Sequence, residues 1–209
     1  MQKWTIRLLI ISFSVFLSSC KTYNVEGKKL EKGSSKTILN PYFSNENEDY
    51  VYKTQIEVYN NNLSGIFVAK KMNDTIHRVV FTTDFGNKLL DFEISETGFK
   101  VNYVVEGLDR KLILNTLEKD FKLLLKQSFK INEVFENNEY YIYKCNDEKR
   151  FNYVYKSKSD DKFVKIIQAS KSKEKLTLKF DSYEGKIAEN ILILHHNIKL
   201  KITLNKLEN

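Results

Sequence analysis

The chain has 209 residues, of which 34 are Lys or Arg and 27 are Asp or Glu, and its formal net charge is +7. The basic residues are nearly all lysines, spread along the chain and interleaved with acids. That pattern predicts a solvated face and sets aside a dedicated nucleic-acid or polyanion surface. With 42% hydrophobic residues the chain can bury the core of one domain, and its two cysteines leave stability to that core rather than to a disulfide framework.

The first seven residues carry Lys3 and Arg7 and no acid, and residues 8–17 are a short apolar run. A bilayer core takes about 20 helical residues to cross, so the run reads as a signal peptide and not as a permanent span. The following Leu17-Ser18-Ser19-Cys20 resembles the lipobox of bacterial lipoproteins. That resemblance implies removal of residues 1–19 and a diacylglyceryl group on the Cys20 thiol. Lipidation would leave Cys145 without a disulfide partner, and two or three acyl chains would hold the protein on a membrane. Lys21-Thr22-Tyr23 places no Asp directly after Cys20. By resemblance to lipoprotein sorting rules, this implies the outer membrane ahead of the inner, facing the periplasm.

Residues 20–49 hold Gly27, Gly33, Ser34, Ser35, Pro41 and several lysines, with few apolar residues. They are expected to form the lipidated cysteine and a flexible tether, which as a coil would span about 30 Å root-mean-square. Leu30, Ile38, Leu39 and Tyr42 could dock part of it on the domain that follows.

Residues 50–209 read as a single β-rich domain. Strands are expected at 50–59, 63–72, 75–84, 88–95 and 99–106, each rich in Val, Ile, Tyr or Phe, with hairpin-short connections such as Asn73-Asp74. The period then changes: Leu108, Leu112, Leu117, Phe121, Leu124 and Leu125 mark one amphipathic helix over 108–126. Strand patterns resume at 130–135, 139–145, 150–156, 162–170, 174–182, 187–195 and 198–204. The last alternates cleanly, with Ile198, Leu200, Ile202 and Leu204 on one face. Short connections make an antiparallel meander the economical topology, and the helical stripe must be covered by the sheet.

This order of elements resembles the LolA/LolB superfamily, the carrier and receptor of lipoprotein sorting. Residues 190–204, Asn-Ile-Leu-Ile-Leu-His-His-Asn-Ile-Lys-Leu-Lys-Ile-Thr-Leu, look like that family's final hairpin. The run Arg78-Val79-Val80-Phe81-Thr82-Thr83-Asp84-Phe85-Gly86-Asn87-Lys88-Leu89-Leu90-Asp91-Phe92 is similar to LolB-like lipoproteins of Bacteroidetes type. The resemblance covers about residues 50–204. It implies a mostly β fold with one to three helices, an antiparallel sheet curved into a half-open barrel with a helix across its mouth, and an apolar cavity that shelters acyl chains without covalent chemistry. Apolar residues on both faces of strands, such as Phe67 and Ala69 against Ile66 and Val68, fit a lined interior, and equally the central strands of a filled core without a cavity. The inward side chains expected there are Phe67, Val79, Phe81, Phe92, Tyr103, Leu112, Phe121 and Leu124. The partners implied are the membrane through the N-terminal lipid, and acyl chains or lipoproteins; an accessory lipoprotein that binds an envelope protein without a cavity is the alternative.

No residue set predicts catalysis, a metal or a cofactor. Asp84-Phe85-Gly86 spells a kinase tripeptide but lacks the accompanying phosphate loop, so it reads as a turn. The rings of His195 and His196 point to opposite faces of a strand, and His77 is remote in sequence. Cys145 reads as a small buried apolar residue. The acids Glu46, Glu48, Asp160 and Asp161 sit in polar stretches that read as solvated loops. Arg78 falls inside an apolar strand: it stands exposed on the wet face, or, if buried, its guanidinium needs an anion that Asp91 or Glu93 at the cavity mouth, or a lipid headgroup, would supply.

Overall fold

A computed structural model of the chain describes residues 23–31, 37–147 and 150–207; Cys20 and residues 1–19 lie outside them. Strands β1 (Lys28–Leu30) and β2 (Thr37–Leu39) precede a meander of β3 (Asp49–Val58), β4 (Asn61–Lys71), β5 (His77–Thr82), β6 (Lys88–Ile94) and β7 (Phe99–Val104). Helix α1 (Lys111–Leu125) follows. Then come β8 (Ser128–Lys130), β9 (Glu133–Glu136), β10 (Tyr140–Asp147), β11 (Arg150–Ser157), β12 (Phe163–Ala169), β13 (Glu174–Asp181), β14 (Asn190–His195) and β15 (Leu200–Lys206).

All but β2 and β8 form one 13-stranded sheet in the order β1-β9-β10-β11-β12-β13-β14-β15-β3-β4-β5-β6-β7, open at both edges. Its two halves are joined by the C-terminal strand: β15 pairs antiparallel with β3 from Leu200↔Val58 to Lys206↔Tyr52. The expected half-open antiparallel sheet with one helix against it is the observed architecture.

Alternation decides which face is dry. Leu200, Ile202 and Leu204 on β15, Ile191 and Ile193 on β14, Leu176, Leu178 and Phe180 on β13, and Phe67 and Ala69 on β4 all point to the concave face and are buried. Helix α1 lays Leu117, Phe121 and Leu124 across that face, with the Phe121 and Phe67 rings 5.4 Å apart. These residues recur at i, i+4 and i+7, the stripe of an amphipathic helix.

The described parts of the expected tether are folded. Residues 37–43 run into the concave face: β2 pairs with β8 (Ile38↔Phe129), and Tyr42 and Phe43 are buried. Tyr42 Oη donates to Phe163 O at 2.7 Å. Residues 23–27 cross the opposite, convex face, where Val25 joins a second apolar cluster with Ile142, Tyr153, Tyr155, Ile167 and Ala169, before β1 pairs at the sheet edge. Of the side chains that could dock, Ile38 and Tyr42 do so, whereas Leu39 stays exposed.

Candidate functional site

The concave face under α1 is the candidate site. Phe67, Val79, Phe81, Phe92, Phe121 and Leu124 lie together there, each at most 4% exposed. They form a packed core rather than the walls of an open void. Tyr42, Phe43 and Phe129 fill the space between sheet and helix, three side chains that strand and helix periodicity alone did not bring to this face.

Tyr103 and Leu112 do not belong to the group. The register slips between Asp91 and Phe92, so Val101 pairs with Phe92 but Tyr103 pairs with Asp91. This bulge turns Tyr103 to the convex face, where it is 44% exposed. Leu112 lies five residues before Leu117, which rotates it about 140° off the helical stripe; it is 78% exposed.

The helix is held mainly at its C-terminal end. Asn40 Nδ2 donates to Leu124 O at 3.3 Å and Lys126 O at 3.1 Å, satisfying carbonyls that the helix leaves open. At the other end Arg110 offers no side-chain cap, and no acid occupies the first turn. Between them, Asp120 is buried against β14, with Oδ2 2.7 Å from His195 Nε2. Burial raises the Asp120 pKa, and the hydrogen bond to His195 works in the opposite direction. Both positions were visible as parity signals. Asp120 falls on the apolar stripe four residues before Leu124, and His195 shares the face of Ile191 and Ile193.

Beside this pair, polar groups from three strands meet. Gln168 on β12 donates to Asn152 Oδ1 at 3.2 Å and accepts from Arg150 Nη1, and Asn152 Nδ2 donates to Asp147 Oδ2 at 3.2 Å. A cavity of about 740 Å³ lies over them, bounded by α1 at Glu118, Lys119 and Lys122 and by His77 and Ile94 of the opposite half-sheet. Its size is that of a small-ligand pocket. None of the eight expected apolar side chains lines it. His77, buried and hydrogen-bonded from Nε2 to Phe43 O at 2.8 Å, has its pKa lowered by burial.

Arg78 forms a two-pronged pair with Asp91, Nε to Oδ1 at 3.0 Å and Nη2 to Oδ2 at 2.8 Å. Lys88 Nζ adds 2.9 Å to Oδ2. These bonds, Arg78's first, hold the Asp91 carboxyl well below the usual carboxylate range. Glu93 instead takes Asn102 at 3.0 Å and Lys100 at 3.4 Å. Arg78 alternates with the inward Val79, so the cluster sits on the convex face and not at a cavity mouth.

Asp84-Phe85-Gly86 is a turn, with the Gly86 N–H on Thr83 O at 3.0 Å and Asp84 held by Lys53 and Ser64. His195 and His196 part to opposite faces, the latter meeting Thr177 Oγ1 at 2.9 Å. Cys145 is buried, and burial pushes its thiol pKa up to about 12. Among the described residues no group of three or more His, Cys, Asp and Glu side chains is placed to hold a metal ion. No described helix is long and apolar enough to cross a membrane.

No family model matches the chain, and no curated protein matches its sequence. Solved structures similar to it include the following two. One is a LolA superfamily protein from Nitrosomonas europaea, at 8% identity and a TM-score of 0.48, covering 81% of this chain and 88% of that one. The other is a domain from Vibrio parahaemolyticus described as an outer membrane lipoprotein-sorting protein, at 10% identity and a TM-score of 0.44, covering 77% and 83%.

Proposed function

We propose that this chain is a lipoprotein anchored through Cys20 on the periplasmic side of the outer membrane, where its concave face takes up acyl chains of lipids or lipoproteins in a LolB-like, non-covalent transfer. The supporting observation is the construction of that face. Among the described residues the apolar surface of an open sheet is covered by residues 37–43, by β8 and by α1, a helix whose N-terminal end is uncapped and whose outer side exposes Leu112. An acyl chain lying between sheet and helix can replace the contacts of Leu117, Phe121 and Leu124 with equivalent apolar contacts, and the Asp120–His195 and Asn40 hydrogen bonds are what its entry has to break.

The test is native mass spectrometry of the purified protein for retained lipid, paired with hydrogen exchange. Addition of a lysophospholipid is expected to speed exchange in α1 while β3–β6 stay protected. A protein that carries no lipid, displaces no apolar dye and keeps α1 protected would refute the proposal.

The packed state of the concave face favours a second reading, an accessory lipoprotein that binds an envelope protein. The unpaired edge strand β7, with Val101 and Tyr103 exposed, offers backbone groups for an added strand. That reading requires a lipid-free protein whose capture of a partner is lost on Val101→Pro.

A further inference from the structure

The path of residues 23–30 sets how the body would sit on a membrane. Tyr23 N–H donates to Lys171 O at 2.7 Å in the β12–β13 turn, and Tyr23 Oη donates to Glu174 Oε1 at 2.9 Å. Its ring packs on Tyr153 at 5.1 Å between centroids, and Val25 is buried beside it. Next along the chain, Gly27 has φ +147°, and a Cβ there would stand 2.6 Å from Glu136 O. Glycine lets the backbone press against β9 before β1 pairs with it from Lys28↔Glu136 to Leu30↔Val134. This arm is docked at Tyr23 and Val25 and ends in the paired strand β1.

Cys20 is three residues before Tyr23. Even fully extended, that link reaches about 11 Å, against the roughly 30 Å expected of a free tether. The point it reaches is basic. Lys171 and Lys173 are exposed in the turn and Lys175 is half-buried beside them. The acid between them, Glu174, is engaged by Tyr23 and by His196 Nε2 at 3.4 Å.

We infer that the β12–β13 turn rests on the headgroup layer of the leaflet that holds the lipid, with Lys171, Lys173 and Lys175 meeting anionic phosphates, so that the body lies on the membrane instead of standing off it. The inference rests on the reading of Cys20 as the lipid-bearing residue. Each lysine near an anionic surface strengthens attraction about fivefold. Docking there also fixes the orientation of the site. Gln168, which lines the 740 Å³ cavity, is three residues from Lys171, so that cavity comes within about 11 Å of the turn.

The test uses the full chain, lipidated in cells and placed in vesicles of phosphatidylethanolamine and phosphatidylglycerol. One sample carries a fluorophore at Ser172→Cys in the β12–β13 turn and a second at Glu184→Cys, beyond the other end of β13; both positions are exposed. Buried Cys145, with its raised thiol pKa, does not compete for the label. A headgroup-attached quencher is expected to quench position 172 severalfold more than 184. Combining Lys171→Gln, Lys173→Gln and Lys175→Gln should shrink the difference, as should vesicles of phosphatidylcholine alone. Equal quenching at both positions, with the acyl mass present on the Cys20 peptide, would overturn the docking. Undiminished preference on phosphatidylcholine would overturn the lysine contribution. A Cys20 peptide without acyl mass would instead overturn the anchored-lipoprotein reading itself.

Discussion

His195 Nε2 on β14 lies 2.7 Å from Asp120 Oδ2 on α1, and both side chains are almost fully withdrawn from water. This is the polar tie between the covering helix and the sheet beneath it, set among apolar contacts. Removing one member strands the other, whereas removing both leaves only a gap to be filled.

His195→Ala is therefore expected to cost about 2–4 kcal/mol at neutral pH, because it leaves a buried carboxylate unpaired. Combining Asp120→Leu with His195→Leu should recover most of that loss. Urea denaturation of the two single variants and the double variant gives the comparison. A double variant as unstable as the sum of the singles would show that the pair is not the tie.

The same pair sets a pH dependence. Burial raises the folded-state pKa of Asp120 above its unfolded value, so ionising it opposes folding. Without His195 the penalty should be absent below the unfolded carboxylate range, about pH 3.9, and grow as pH rises above it. The stability deficit of His195→Ala relative to the parent, measured from neutral pH down to pH 4, should narrow to what the vacated side-chain space costs.

Asp91 behaves with the opposite sign. Its folded-state pKa is depressed, chiefly by Arg78, so its contribution is present above the unfolded carboxylate range and fades as pH falls below about 4. Asp91→Asn should cost about 1–2 kcal/mol at neutral pH, a modest figure because the partnering Arg78 and Lys88 side chains are 44% and 46% exposed. The cost should diminish in acid, as read from thermal unfolding.

Asn40→Ala removes the donor that satisfies Leu124 O and Lys126 O. The expected loss is about 1–2 kcal/mol. Its local signature should be faster hydrogen exchange in α1 than in β13–β15. If α1 is the displaceable cover of an acyl site, uptake of an apolar dye should also rise.

Gly65 on β4 faces the chain of β5 so closely that a Cβ would lie 1.9 Å from Thr82 O. Backbone cannot yield as a flexible side chain can, so Gly65→Ala should cost about 3 kcal/mol or more. A denaturation midpoint equal to the parent's would contradict the close approach.

Sequence periodicity was enough for strands β3–β7 and β10–β15, the one helix, their antiparallel order and the inward parity of residues such as Phe67, Val79 and Leu204, but not for β1, β2 or the division of β8 from β9. Those follow from local periods of two and of three to four, which need no knowledge of distant partners. The sequence left Arg78 either exposed on the wet face or paired with an acid, and the structure does both, on the convex face with Asp91. Tertiary structure decided what periodicity cannot carry. The slip between Asp91 and Phe92 moved Tyr103 outward, because register depends on the partner strand. The pairing of β15 with β3 decided which face all the strands share. Few apolar residues made 20–49 read as a tether, yet Tyr23, Val25 and Tyr42 pack against strands more than a hundred residues away, such as Tyr42 on Phe163, and Phe43 packs on Tyr50 and Tyr52. The reading of Cys20 as the lipid-bearing residue comes from its neighbours in sequence, whereas the inference that a lipid there lies near the β12–β13 turn depends on where Tyr23 docks.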